Sequence, residues 1–168
     1  MSLPAQIDPR KLASQGITLE GVVSAKDLPR LSASVENITD PLNVFIQFAL
    51  DETRQHIVTG KASIKVDVIC QRCLDRVNIE IKTTFGLQVI WSEDQLAKVA
   101  PNYEPWVVVD KIADLNIVLE DEVLLVLPIV NYHNVGECTG TAFDEKVEPV
   151  REEAVVDSPF SVLKQLKN

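Results

Sequence analysis

Apolar and polar residues alternate through the middle of the chain. In Lys61-Ala-Ser-Ile-Lys-Val-Asp-Val-Ile69, Ala62, Ile64, Val66 and Val68 fall on one side of an extended backbone, and Lys61, Ser63, Lys65 and Asp67 on the other. Successive side chains of a strand point to opposite faces, so this is a strand with one buried face. The pattern returns at Val77, Ile79 and Ile81, set against Asn78, Glu80 and Lys82, and runs on through Phe85, Leu87 and Val89 to Trp91. Two alternating runs joined by a few residues predict a β-hairpin over 61–91. Cys70-Gln-Arg-Cys73 then sits at or just beside its tip.

The chain before the hairpin carries further local signals. Asp8-Pro9-Arg10-Lys11-Leu12-Ala13 predicts a short helix, with Asp8 as its cap and Pro9 at its first position. Residues 17–23 alternate and predict a strand. Lys26–Leu31, with Pro29, reads as a turn or a short helical piece, and Asp40-Pro41 as a turn. Leu42–Leu50 predicts a second clear strand, with Leu42, Val44, Ile46 and Phe48 on one face and no charge on the other. Asp51–Arg54 turns, residues 55–59 return, and Gly60 within the strand pattern suggests a bulge or bend. His56 reads as a strand-face histidine without chemistry.

Beyond the hairpin, residues 92–105 form a polar connection with a short helical piece around 94–99, and residues 106–109 are β-rich. Asp114 predicts an N-cap for a helix over 114–127, on which Ile112, Leu115, Leu119, Val123, Val126 and Leu127 make one stripe. Pro128 ends it. Residues 137–157 are acidic and poor in hydrophobes, the composition of a flexible tether. In the closing stretch, 158–168, Phe160, Leu163 and Leu166 share one helical face, an anchor for the chain's own sheet or for a partner.

These elements predict an α+β domain over 1–136. Its centre is a curved antiparallel sheet of about five to seven strands, open or partly closed like a barrel. One main helix packs on the sheet, and the acidic tail follows. Composition narrows the function. The 168 residues carry a net charge of −9 and a pI near 4.7, which disfavours broad non-specific binding to nucleic acid and leaves room for a local basic patch or a basic protein partner. Three cysteines make no disulfide framework, and an odd count with no secretory signal points to a reducing, cytoplasmic setting. The longest apolar run, Val123–Val130, is too short to span a bilayer.

Candidate chemistry is sparse. Cys70 and Cys73 read as metal ligands, as a redox pair, or as ordinary reduced cysteines; the flanking strands offer no helix N-terminus to activate a redox thiol. With His133 and Cys138 they would complete a Cys₃His zinc shell, although His133 also reads as a loop histidine. Glu120-Asp121-Glu122 are consecutive on a helix and diverge by about 100° each, which suits a solvated acidic face better than acid–base machinery. No catalytic triad order, phosphate loop or dinucleotide motif is present. The chain therefore reads as a non-enzyme without a small-molecule substrate. Lys61, Lys65, Arg72, Arg76 and Lys82 gather on the hairpin's polar face or tip, interrupted by Asp67, Asp75 and Glu80, and form the best candidate RNA contact.

Four pieces together carry a resemblance. They are Val68-Ile-Cys-Gln-Arg-Cys-Leu74, Leu119-Glu-Asp-Glu-Val-Leu-Leu-Val-Leu-Pro128 followed by His133, the acidic segment with Cys138, and Ser158-Pro-Phe-Ser-Val-Leu-Lys-Gln-Leu-Lys167. In this order and spacing the chain resembles the bacterial YceD family, the large ribosomal RNA subunit accumulation proteins, from about Gly21 to Lys167. The resemblance implies a non-catalytic role in large-subunit biogenesis, with large-subunit ribosomal RNA or a basic ribosomal protein as partner. Some family members carry several cysteines after the helix, where this chain keeps only His133 and Cys138. A structural zinc or thiol module that binds another protein without touching RNA is the rival reading.

Overall fold

The computed structural model describes residues 1–138. In chain order its elements are β1 (Gln6–Ile7), α1 (Pro9–Gln15), β2 (Thr18–Val23), α2 (Pro29–Ser34), β3 (Asn37–Ile38), β4 (Leu42–Leu50), β5 (His56–Ile69), β6 (Arg76–Ile90), β7 (Glu104–Val107), β8 (Ala113–Asp114) and α3 (Leu115–Leu125). Short 3₁₀ turns cover Ala25–Asp27 and Glu93–Lys98. The expectations placed on Phe160, Leu163, Leu166 and most of the acidic segment lie outside the described residues. No helix in this part is long and apolar enough to cross a membrane.

Six strands form one sheet in the order β2-β4-β5-β6-β7, with β3 beside the far half of β5. The fold is α+β as expected, but the sheet is mixed and does not close into a barrel. β7 runs parallel to β6, from Leu87↔Glu104 to Ile90↔Val107. A parallel return needs a crossover of about a dozen residues, and the polar connection after Ile90 supplies it. Met1–Leu3 lies along the free edge of β2, where the Val22 N–H donates to the Met1 carbonyl at 2.9 Å.

The alternation is visible in burial. Along β4, Leu42, Val44, Ile46 and Phe48 are buried while Asn43, Phe45 and Gln47 are exposed. The buried face meets the helices: α1 lies against β4 and β5, α3 against β6, and α2 against α3. Leu28, Leu31, Leu115, Leu119 and Val123 join the strand residues in one core. The Asp8 carboxylate accepts from the Lys11 N–H at 3.1 Å to start α1, and Gly16, at φ 64°, ends it in the left-handed conformation that costs glycine least. Asp114 caps α3 as predicted, accepting from the Asn116 N–H at 2.9 Å.

Three local expectations change. Gly60 makes no bulge, because the register runs unbroken through Ile46↔Gly60 and Gly60↔Phe85. A Cβ there would lie 2.5 Å from the Phe85 ring and 2.8 Å from the Phe45 carbonyl oxygen, so glycine is needed for close approach. The helix stripe is narrower than predicted, since Ile112 and Val126 are exposed. Glu120 and Glu122 are buried rather than solvated, at 3% and 8% exposure. Glu120 accepts from the Leu31 N–H and from Arg30 Nε, both at 2.9 Å. Leu28 at the head of α2 makes no side-chain cap, so a carboxylate on α3 satisfies one of the free amides there. Arg30 also pairs with Asp121 at 2.6 Å. His56 packs edge-on against Trp91, in keeping with a strand-face role without chemistry.

Candidate metal centre and the lysine face

The β5–β6 hairpin closes through Cys70–Asp75. The Leu74 N–H donates to the Cys70 carbonyl and the Cys70 N–H to the Asp75 carbonyl, each at 2.9 Å, with Leu74 held at φ 62°. This tight turn aims both sulfurs the same way. After α3 and Pro128 the chain comes back alongside, and the Gln71 N–H donates to the Asn131 carbonyl at 2.8 Å. That contact delivers His133 and Cys138 to the tip.

Cys70, Cys73, His133 and Cys138 form a group whose donor atoms all lie within 4.8 Å of one another and which can hold a metal ion. All three cysteines are free. Cys70 Sγ and Cys138 Sγ are 3.8 Å apart, far beyond the ~2.05 Å of a disulfide. Zn–S bonds of ~2.3 Å in a tetrahedron put sulfurs about 3.8 Å apart, so this spacing fits a shared ion. His133 Nδ1 lies 3.3 Å from Cys73 Sγ and 3.8 Å from Cys138 Sγ. The other ring nitrogen, Nε2, is 3.0 Å from the Arg76 carbonyl. A carbonyl only accepts, so Nε2 carries a proton, and in the neutral ring Nδ1 then has its lone pair for a ligand, the second contact expected of a metal-binding imidazole.

The electrostatics suit the same use. Burial pushes the Cys70 thiol up, but hydrogen bonds from the Cys73, Arg72 and His133 backbone amides and from the His133 ring outweigh it, and the pKa falls to about 5. Cys73 is lowered by the Asp75 amide, but burial and the neighbouring Cys70 and Cys138 sulfurs raise it more, so its net shift is upward. His133 is raised, first by its hydrogen bond to Cys70. Three thiols crowded around one imidazole are disfavoured as separate charges, and a cation among them removes that conflict.

Three of the hairpin's five basic residues pair with carboxylates. Lys65 pairs with Asp40 at 3.6 Å, Arg76 with Glu36 at 3.9 Å, and Lys82 with Glu80 at 2.7 Å. Arg72 lies at the metal group, with Nη1 3.9 Å from Cys138 Sγ and its guanidinium carbon 5.3 Å from the Tyr132 ring centroid. Lys61 pairs with no carboxylate among the described residues, and its ammonium lies 5.6 Å from the Phe45 ring centroid.

The family model described as "Large ribosomal RNA subunit accumulation protein YceD" matches residues 58–167, a span that holds all four donors. A Haemophilus influenzae protein of the same description is 30% identical over 170 residues, covering 99% of this chain and 97% of the relative. The chain belongs to the YceD family. No solved structure matches it.

In this YceD-family chain the four donors were legible as residue types, and the structure brings them together. One surface feature escaped the sequence. A groove of about 770 Å³ crosses the solvent face of β2, β4, β5 and β6, lined by Phe45, Lys61 and Lys82 among others. The available signal was an aromatic at Phe45, between Asn43 and Gln47 on the outward face of β4.

Proposed function

We propose that this chain is a non-enzymatic factor in large ribosomal subunit biogenesis that supports accumulation of that subunit's RNA. The proposal is carried by the likeness, along 99% of the chain, to a protein named for large ribosomal RNA subunit accumulation. In the same proposal Cys70, Cys73, His133 and Cys138 hold one Zn²⁺ as a closed structural site, since three sulfurs and one imidazole leave no position open for substrate. The ion fixes the hairpin tip to the segment that follows α3. Lys61, Lys65, Arg72, Arg76 and Lys82 supply the RNA contact from this hairpin, and residues 158–168 anchor the chain to itself or to the particle.

The test is a deletion strain of the source bacterium. Without the protein, large-subunit RNA should fall relative to small-subunit RNA, and the wild-type chain should restore it. Arg72→Glu with Arg76→Glu should weaken capture of pre-ribosomal particles, with a shallower salt dependence. An unchanged RNA ratio in the deletion strain rejects the biogenesis role. Full capture by the double variant assigns contact to the acidic surface and a basic ribosomal protein instead.

A further inference from the structure

We infer that the groove on the solvent face of the sheet binds a short stretch of single-stranded RNA, with Phe45 as the platform on which a base stacks. This rests on the RNA role proposed above and gives it a specific site, away from the metal group. Strand register builds the site. Glu20, Phe45, Lys61 and Thr84 stand side by side across four strands, through the pairs Glu20↔Phe45, Phe45↔Lys61 and Lys61↔Thr84. The neighbouring row brings Asn43, Ser63 and Lys82 together through Asn43↔Ser63 and Ser63↔Lys82.

The chemistry of the rows selects the ligand. Phe45 is 37% exposed on a sheet face, and an aromatic in that position offers a flat surface to any base. Lys61 holds its ammonium over one side of the ring, 5.6 Å from the centroid and without a carboxylate partner among the described residues, so it can meet a phosphate there, and Lys82, paired with Glu80, follows in the second row. Asn43, Ser63 and Thr84 offer donors and acceptors for base edges and the 2′-hydroxyl. A volume near 770 Å³ is in the range of small-ligand sites, room for a base and its sugar rather than a duplex. A paired helix keeps its bases stacked inside and shows no free ring face, so the occupant is unpaired. Glu20, at the far side of Phe45, only accepts hydrogen bonds when ionised. It therefore favours a base with an exocyclic amine over uracil.

Fluorescence anisotropy with labelled oligo(C) and oligo(U) ribonucleotides tests this on the full chain. Phe45→Ala should weaken oligo(C) binding about tenfold, the loss of one stacked base. Lys61→Gln should make the salt dependence shallower by about 0.7 in log–log slope, one phosphate contact on a single strand. Lys98→Gln, which removes a remote surface cation, should bind as wild type. Glu20→Gln should narrow the preference for oligo(C). Melting curves check that the exposed-site variants remain folded. Wild-type affinity in Phe45→Ala, or no binding of either oligonucleotide, overturns the inference. So does capture of a basic ribosomal protein that Phe45→Ala abolishes while oligonucleotides fail to bind. In the deletion strain, rescue of large-subunit RNA by Phe45→Ala would reject the groove and leave the biogenesis role standing. Absence of any RNA deficit in that strain would reject the role itself.

Discussion

Around Gly60 and Phe85, the β5–β6 hairpin lies inside a six-stranded sheet, with β4 on one side, β7 nearby and helices beneath. At its other end, Cys70–Asp75 meets a returning segment through a few hydrogen bonds and four clustered side chains that can hold a metal ion. The first end is held by register and buried apolar area: Ile46, Phe48 and Val58 are almost fully buried. The second has little such support, since Ile129 and Val135 are 96% and 97% exposed. One hairpin thus joins a region that specifies itself by packing to a region whose shape a bound ion would fix. The groove proposed for RNA belongs to the first region.

Metal removal should separate the two most strongly. Zn²⁺ binding in small closed sites is worth about 10–16 kcal/mol at neutral pH in isolated zinc fingers, so it can dominate the order of a segment with so few other contacts. Metal analysis of the purified chain should give about one ion per chain, the stoichiometry of a four-ligand closed site. Cys73→Ser should abolish it. Hydrogen exchange should then quicken at Gln71 and His133, while Ile46 and Val58 stay protected. Unchanged protection at the tip after metal loss would mean that hydrogen bonds alone hold that end, and the contrast would disappear.

The packed region should respond to a buried polar loss instead. Glu120→Ala leaves the buried Leu31 N–H without its acceptor and takes from Arg30 one of its two carboxylates, and unmaking a buried, charge-assisted contact costs about 3 kcal/mol. Thermal unfolding should shift down with metal content unchanged. If the metal is lost as well, the two ends are coupled through α3, whose chain continues to His133.

How much of this was legible depends on the range of the signal. The caps at Asp8 and Asp114, the alternation of β4 and the CxxC tip are written within a few residues of one another, and the sequence was sufficient for each. The burial of Glu120 was not, because its partners Arg30 and Leu31 lie on a helix nearly ninety residues earlier. Local geometry correctly separated the three carboxylates, but it could not say which of them would find an amide. The parallel setting of β7 escaped because the β-rich residues 106–109 carry no mark of strand direction. The donors at the tip were readable as types, while their convergence depends on the Gln71–Asn131 contact, which no spacing rule encodes. Phe45 stood in plain view, but a single outward aromatic acquires meaning only when register puts Lys61 beside it.

A milder change to the packed end is Gly60→Ala. The added Cβ meets the Phe85 ring and the Phe45 carbonyl inside normal contact distance, and overpacking of this kind costs about 1–3 kcal/mol. Because Phe45 and Lys61 flank the strain, oligonucleotide binding should weaken along with stability, while the metal stays. If stability falls and binding does not, the groove does not depend on this register.

The smallest expected effect lies in Glu122, and it has a direction set by pH. Burial, then the nearby Glu104 and Asp121 carboxylates, raise its pKa above the ordinary carboxylate range. Ionising it costs more in the folded chain than in the unfolded one, so the folded state holds its proton more tightly. Stability from this group therefore falls as pH rises from the unfolded carboxylate pKa, about 4.3, through the raised folded value. Glu122→Gln keeps the shape and removes the charge. At pH 7 the variant should be more stable than wild type, by less than about 1 kcal/mol. Below about pH 4 both forms of the wild-type chain are protonated at this position and the gain should vanish. Asp121→Asn should behave oppositely at pH 7, since Asp121 is half-buried and pairs with Arg30 at 2.6 Å. Denaturant melts of both variants at pH 4 and pH 7 give the comparison. A gain from Glu122→Gln that is the same at both pH values would show that shape or hydrogen bonding, not charge, limits the packed end at this position.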